Sequence, residues 1–196
     1  MICSGLASCA SARESEMPTN FKITMDNQVF SIATPVPPEN EFVKYRQSLS
    51  LYDDALFEKS NYVTGLQVHW KYRSGLLRKV AGVMELKVIL QAAREHDVTS
   101  EDGLRQELLA DFRRELTKVG YKGTPVPFEK VTINGRSWLK YQVPVLGVIE
   151  HSTGLSNKRL LIVRFGFIDN TSEKSPAWHQ EAKELMTKLL ESARVE

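Results

Sequence analysis

Residues 128–141 read FEKVTINGRSWLKY, and the Asn134-Gly135 pair at their centre dictates a tight reversal. A two-residue type I′ turn needs positive φ at both central positions, which Asn and Gly tolerate best. Zipping back from the turn sets Ile133 against Arg136, Val131 against Trp138, Glu129 against Lys140 and Phe128 against Tyr141. The last three are favourable neighbours: β-branched against aromatic, acid against base, ring against ring. Antiparallel pairing is therefore the starting point for the fold.

The flanking sequence extends that pattern. Residues 21–24 and 29–33 predict two short strands around a polar turn at Asp26-Asn27, and Pro35, Pro37 and Pro38 then stop regular pairing. A further strand is expected within 42–51, and a loop or a turn of helix over 53–61. Over 62–73, Leu66, Val68, Trp70 and Tyr72 point one way while Gln67, His69, Lys71 and Arg73 point the other. One greasy and one wet face belong to an antiparallel sheet. Residues 83–91 repeat this, with Met84, Leu86, Val88 and Leu90 opposed to Glu85, Lys87 and Gln91. Good helix formers over 76–95 compete for that stretch, but the period of two and the break at Gly82 favour a strand.

Residues 99–119 predict a helix, capped by Thr99 and Asp102, with Glu101 and Asp102 at its positive end and Gly120 as its stop. Its apolar stripe is Leu104, Leu108, Leu109, Phe112, Leu116 and Val119. The second hairpin strand is expected to run on through Val143 and Val145, and 147–157 to form a long polar surface loop. Residues 159–168 carry Leu161, Val163, Phe165 and Phe167 on one side and Leu160, Ile162 and Ile168 on the other. Apolar on both faces, this strand belongs at the centre of a sheet covered on both sides. Ser175-Pro176 opens a last helix with the stripe Trp178, Ala182, Leu185, Met186, Leu189 and Leu190. The sum is α+β: an antiparallel central sheet sandwiched between helices, over a single globular domain of residues 21–196.

Residues 1–20 read as an address and a tether. Leu6-Ala7-Ser8-Cys9 matches the lipobox of bacterial lipoproteins, where the chain is cut before a cysteine whose sulfur takes a diacylglycerol. Ala10 and Ser11 follow it, the pattern of proteins sent to the periplasmic face of an outer membrane where one exists. The small, polar stretch beyond suits a flexible tether. A working signal also needs a charged start and an apolar core of roughly 7–15 residues, whereas only eight residues precede Cys9 and none is basic. Two readings stand: a lipid-anchored envelope protein whose signal extends upstream of Met1, or a cytosolic protein starting near Met17 in which LASC arose by chance.

Cys3 and Cys9 are the only cysteines, so a disulfide framework or zinc site in the globular body is excluded. The net charge of +2 implies no general attraction to nucleic acid. No HxxxH or CxxC pair, GxSxG elbow, Ser-x-x-Lys or glycine-rich phosphate cradle occurs, so neither a catalytic residue, a metal ligand nor a cofactor is indicated. His69, Lys71 and Arg73 share a strand face, with Arg78 and Lys79 shortly after, giving a local cationic patch for an acidic protein partner. The blander reading is that Glu85 and Lys87 of the next strand lace it with exposed pairs of low value. His151, in the expected loop, has no evident partner.

The order V-x-I-N-G-R-x-W-x-x-Y, a loop, L-L-I-V-R-F-x-F, an aromatic-bearing helix and the closing L-L-E-S-A-R-V makes residues 128–194 resemble the PsbP-like superfamily. That resemblance implies an α/β/α sandwich with a central antiparallel sheet. The fold is shared by an extrinsic photosystem protein, an import factor that binds the GTPase Ran, DcrB-like bacterial lipoproteins and cytosolic adaptors for secreted toxins. It implies a non-enzymatic binding or assembly role and assigns no functional residue.

Overall fold

The Asn134-Gly135 turn forms with φ of 49° and 79°, and the strands it joins pair in the expected register, Val131 opposite Trp138 and Glu129 opposite Lys140. The computed structural model describes residues 19–25, 27–35, 42–49, 61–74, 79–170 and 177–196. The tail with Cys9, most of 53–61, Arg78 and Ser175-Pro176 lie outside the described residues.

The strands are β1 (Thr19–Met25), β2 (Gln28–Thr34), β3 (Val43–Tyr45), β4 (Ser48–Leu49), β5 (Tyr62–Ser74) and β6 (Lys79–Ala92), then β7 (Glu129–Ile133), β8 (Arg136–Gln142), β9 (Ile149–Ser156), β10 (Arg159–Asp169) and β11 (Arg194–Val195). Helix α1 spans Glu101–Asp111 and α2 spans Trp178–Ser192. Seven strands form one antiparallel sheet in the order β3-β5-β6-β10-β9-β8-β7, and a second sheet runs β11-β2-β1-β4. Among the described residues only the short β1–β4 contact is parallel. The molecule is thus α+β, with two antiparallel-dominated sheets where one had been expected.

β10 takes the middle of the large sheet, between β6 and β9, as its doubly apolar sequence requires. On one face, Leu160 and Ile162 meet Ile89, Leu108, Phe112 and Tyr141 beneath α1. On the other, Val163 and Phe165 join Leu86 and Trp138 against Phe30 and Ile32 of the small sheet and Trp178 and Leu189 of α2. Leu86, Phe30, Phe165 and Ile32 are fully buried, each contributing roughly 1.5–3 kcal/mol by leaving water. β6 is a strand throughout, with Met84, Leu86, Val88 and Leu90 buried on one face, so the helical alternative for 76–95 falls.

Helix α2 is pinned at both ends. Trp178 lies flat over Gly82 and stacks on Tyr72 with ring centroids 5.1 Å apart; a Cβ at Gly82 would land inside the indole. At the far end Asn134 Nδ2 donates to the carbonyls of Glu191 and Ala193, at 3.0 and 2.6 Å. The hairpin asparagine thereby satisfies helix-end acceptors that would otherwise be orphaned.

Four local expectations are corrected. The cap of α1 is Ser100, whose Oγ accepts from Gly103 N at 3.0 Å. Thr99 is instead engaged by Asp97, and Asp102 plays no part in the cap. The helix does not continue as α to 119: it widens into a π-turn at Phe112–Leu116, tightens to a 3-10 turn at Thr117–Val119 and ends at Gly120, φ 100°. β8 stops at Gln142, because Pro144 has no N–H to give a ladder, and Val145 turns back with φ 67°. The expected polar loop is largely β9, a strand with Glu150, His151, Ser152 and Thr153 all buried between β8 and β10.

Candidate ligand cavity

Two backbone irregularities converge on one cavity. The first is the π-turn after α1, a feature that recurs at functional sites. The second is the β8–β9 connection, where Val145 holds a left-handed conformation costing a β-branched residue roughly 1–2 kcal/mol. Bonds from Val143 N to Val148 O (2.9 Å) and from Gly147 N to Val143 O (3.2 Å) hold that turn closed. It leaves Val145 exposed and brings Leu146 to the cavity wall. The enclosed volume is about 270 Å³, between the α1 side of the large sheet and the π-turn.

The floor is polar and wholly paired. Glu150, 2% exposed, accepts from Tyr141 Oη at 2.7 Å and from Arg164 Nε at 2.5 Å. Tyr141 Oη also lies 2.7 Å from Ser152 Oγ. Register places these groups side by side, with Arg164 opposite Glu150 and Glu150 opposite Tyr141. A buried carboxylate is tolerable only with such partners. Burial and the Glu150 charge push the Tyr141 hydroxyl well above its ordinary range, so it remains a proton-bearing donor.

The helix side is equally tied. Asp111 accepts from Gln91 Nε2 and from Arg114 Nη2, both at 3.0 Å. Glu107, with no solvent exposure, accepts from the backbone N–H groups of Arg94, Glu95 and His96, each at 2.9 Å. Burial works against its charge, but those three N–H groups, helped by Arg114, hold its carboxyl below the usual range. The bend at 94–96 is thereby fixed to α1, and Arg94 is placed on the cavity lining.

His69, Lys71 and Arg73 do share one strand face, the α1 side of β5, outside the cavity. Glu85, directly opposite His69, accepts from Gln67 Nε2 and His69 Nε2 at 2.7 Å each and pairs with Lys87 at 2.8 Å. Burial would raise the Glu85 carboxyl, but bonds from Lys87, His69 and Gln67 hold it below the usual range. Glu85 thus ties His69, Gln67 and Lys87 together in half-buried contacts, and the His69 ring also stacks on Phe42 at 4.5 Å. Lys71 and Arg73 stay exposed beyond it, as does Lys79 at the start of β6.

One polar row joins the two regions. In register, Gln67, Lys87, Arg164, Glu150 and Tyr141 cross five adjacent strands. The cavity residues were missed in the sequence, yet one signal was present. Arg164 interrupts the doubly apolar run 160–168, and a charge there demands a nearby acid. No family model matches the chain, and no curated protein matches it.

Proposed function

We propose that this chain is a binding accessory of a cell envelope, with no catalytic turnover of its own, held at a membrane by lipid on Cys9. One observation carries the binding reading: two of the cavity's carboxylates are committed to fixed partners, buried Glu150 to Tyr141 and Arg164, half-buried Asp111 to Gln91 and Arg114. General acid–base chemistry needs a group free to pass a proton within reach of substrate. These groups instead build a rigid wall. The finer architecture, a PsbP-like α/β/α sandwich, belongs to the same proposal, supported by α1 and α2 packing against opposite faces of the large sheet.

The address rests on Leu6-Ala7-Ser8-Cys9 and the polar stretch after it. One acyl chain would hold only weakly, so the anchor requires the two or three chains of a mature lipoprotein. Mass spectrometry of protein made from its full upstream reading frame tests this. The expected amino-terminal peptide begins at a diacylglyceryl Cys9; an unmodified Met1 or Met17 terminus overturns the anchor and leaves a cytosolic adaptor of the same fold.

A further inference from the structure

We infer that the cavity beneath the π-turn takes a free α-amino acid with an apolar side chain. The inference rests on the binding reading above and names the ligand class for that site. Among the ionisable groups lining the cavity, Glu150, Arg164 and Asp111 are already engaged. Apart from the neutral side chain of Tyr62, the lining groups left over are Arg94 and Glu115, both exposed. Neither side chain has a hydrogen-bond or ion-pair partner among the described residues; Arg94 is held there only through its backbone N–H.

One unspent cation and one unspent anion at a single small cavity complement a ligand with both charges and no net one. Arg94 takes the carboxylate, for which its planar fork of donors is suited. Glu115, displayed by the π-turn, takes the ammonium. Beside the polar floor the lining also offers hydrocarbon for the side chain, from Ile89, Leu108, Phe112, Val143, Leu146 and Ile162. About 270 Å³ is at the small end for ligand pockets, which suits a single amino acid better than a peptide. The strained Val145 turn and the π-turn then have a shared purpose, since each supplies wall residues that regular structure would place elsewhere.

Isothermal titration of the full chain with L-leucine, N-acetyl-L-leucine and L-leucinamide tests this. L-leucine is expected to bind at millimolar affinity or tighter, and each blocked compound about tenfold more weakly. Glu115→Gln should lower affinity for L-leucine about tenfold yet leave N-acetyl-L-leucine unchanged, and Arg94→Gln should do the mirror image with L-leucinamide. Both positions are exposed, so the variants should keep the parent's melting temperature. Equal binding of the acetylated acid overturns the zwitterion assignment while leaving a binding module in place. No heat from any of the three overturns the ligand class. Conversion of L-leucine to a new species, followed by proton NMR, overturns the non-catalytic reading itself.

Discussion

At 2% exposure and edge-on to Phe165, the His151 imidazole sits within the large sheet with Lys140 opposite it on β8. Its Nδ1 is buried with no hydrogen-bond partner. Burial and the Lys140 charge lower its pKa to about 4, against a smaller opposing pull from Glu129. The unfolded chain therefore binds the extra proton at a pH where the folded chain refuses it. Stability is full above about pH 6.5 and declines as pH falls toward 4, by about 3 kcal/mol. Glu85 and Glu107, both held below the ordinary carboxylate range, add losses that begin as pH falls below about 5. Urea midpoints measured from pH 7.5 to 4 should trace this slope, and His151→Gln should flatten it between pH 6.5 and 4; a slope unchanged in the variant assigns the effect elsewhere. Glu107 makes a separate case. Glu107→Ala strands three backbone N–H groups at the 94–96 bend, an expected loss of about 3 kcal/mol by chemical denaturation.

Among the elements, α2 depends most on a single close approach. Gly82→Ala must move Trp178 off β6, and overpacking of this kind costs about 1–3 kcal/mol. Calorimetry should show the melting temperature falling by roughly 2–4 °C per kcal/mol for a chain of this size. No change would mean the indole is free to shift. The elements also differ in how openly the sequence declared them. β5 and β6 were legible because water and hydrocarbon sort their side chains face by face, leaving a period of two, and β10 because its run is apolar on both faces. β9 was not, because Glu150, His151, Ser152 and Thr153 break the rule that buried strands are apolar. Except at His151, their polar groups are accommodated by residues of the neighbouring strands: Tyr141 and Arg164 satisfy Glu150, while Arg136 Nε and the Ser137 carbonyl satisfy Thr153 Oγ1. Only the register of β8 and β10 against β9 reveals those partners, and no local pattern encodes it. The π-turn was hidden for a related reason, since residues 112–116 carry good helix formers and the widening is not written in their propensities. The cavity, built from β9 and the π-turn, was invisible for both reasons together.

Taken whole, the molecule carries a net charge of only +2, so any attraction to an acidic partner has to be local. The α1 side of the large sheet supplies such a region. Lys87 and Arg164 lie opposite one another across β6 and β10, a like-charge contact that Glu85 and Glu150 each relieve on one side. Beyond them Lys71 and Arg73 lie exposed on the same face of β5. Here Glu150 is held almost completely inside the sheet, while Glu85, Lys87 and Arg164 are half-buried. A partner approaching this face therefore meets positive charge first. Electrostatic steering of that kind governs the association rate more than final affinity, and it is screened by salt. Reversing both charges, Lys71→Glu with Arg73→Glu, should slow capture of an acidic partner from native membrane extract about tenfold at low salt. The difference should shrink as ionic strength rises past roughly 0.15 M. Lys183→Glu with Lys188→Glu, exposed on α2 across the sheet, makes the same change in net charge and should leave capture intact. Equal losses from both pairs would show that overall charge sets the rate and that the β5 face has no special part in it.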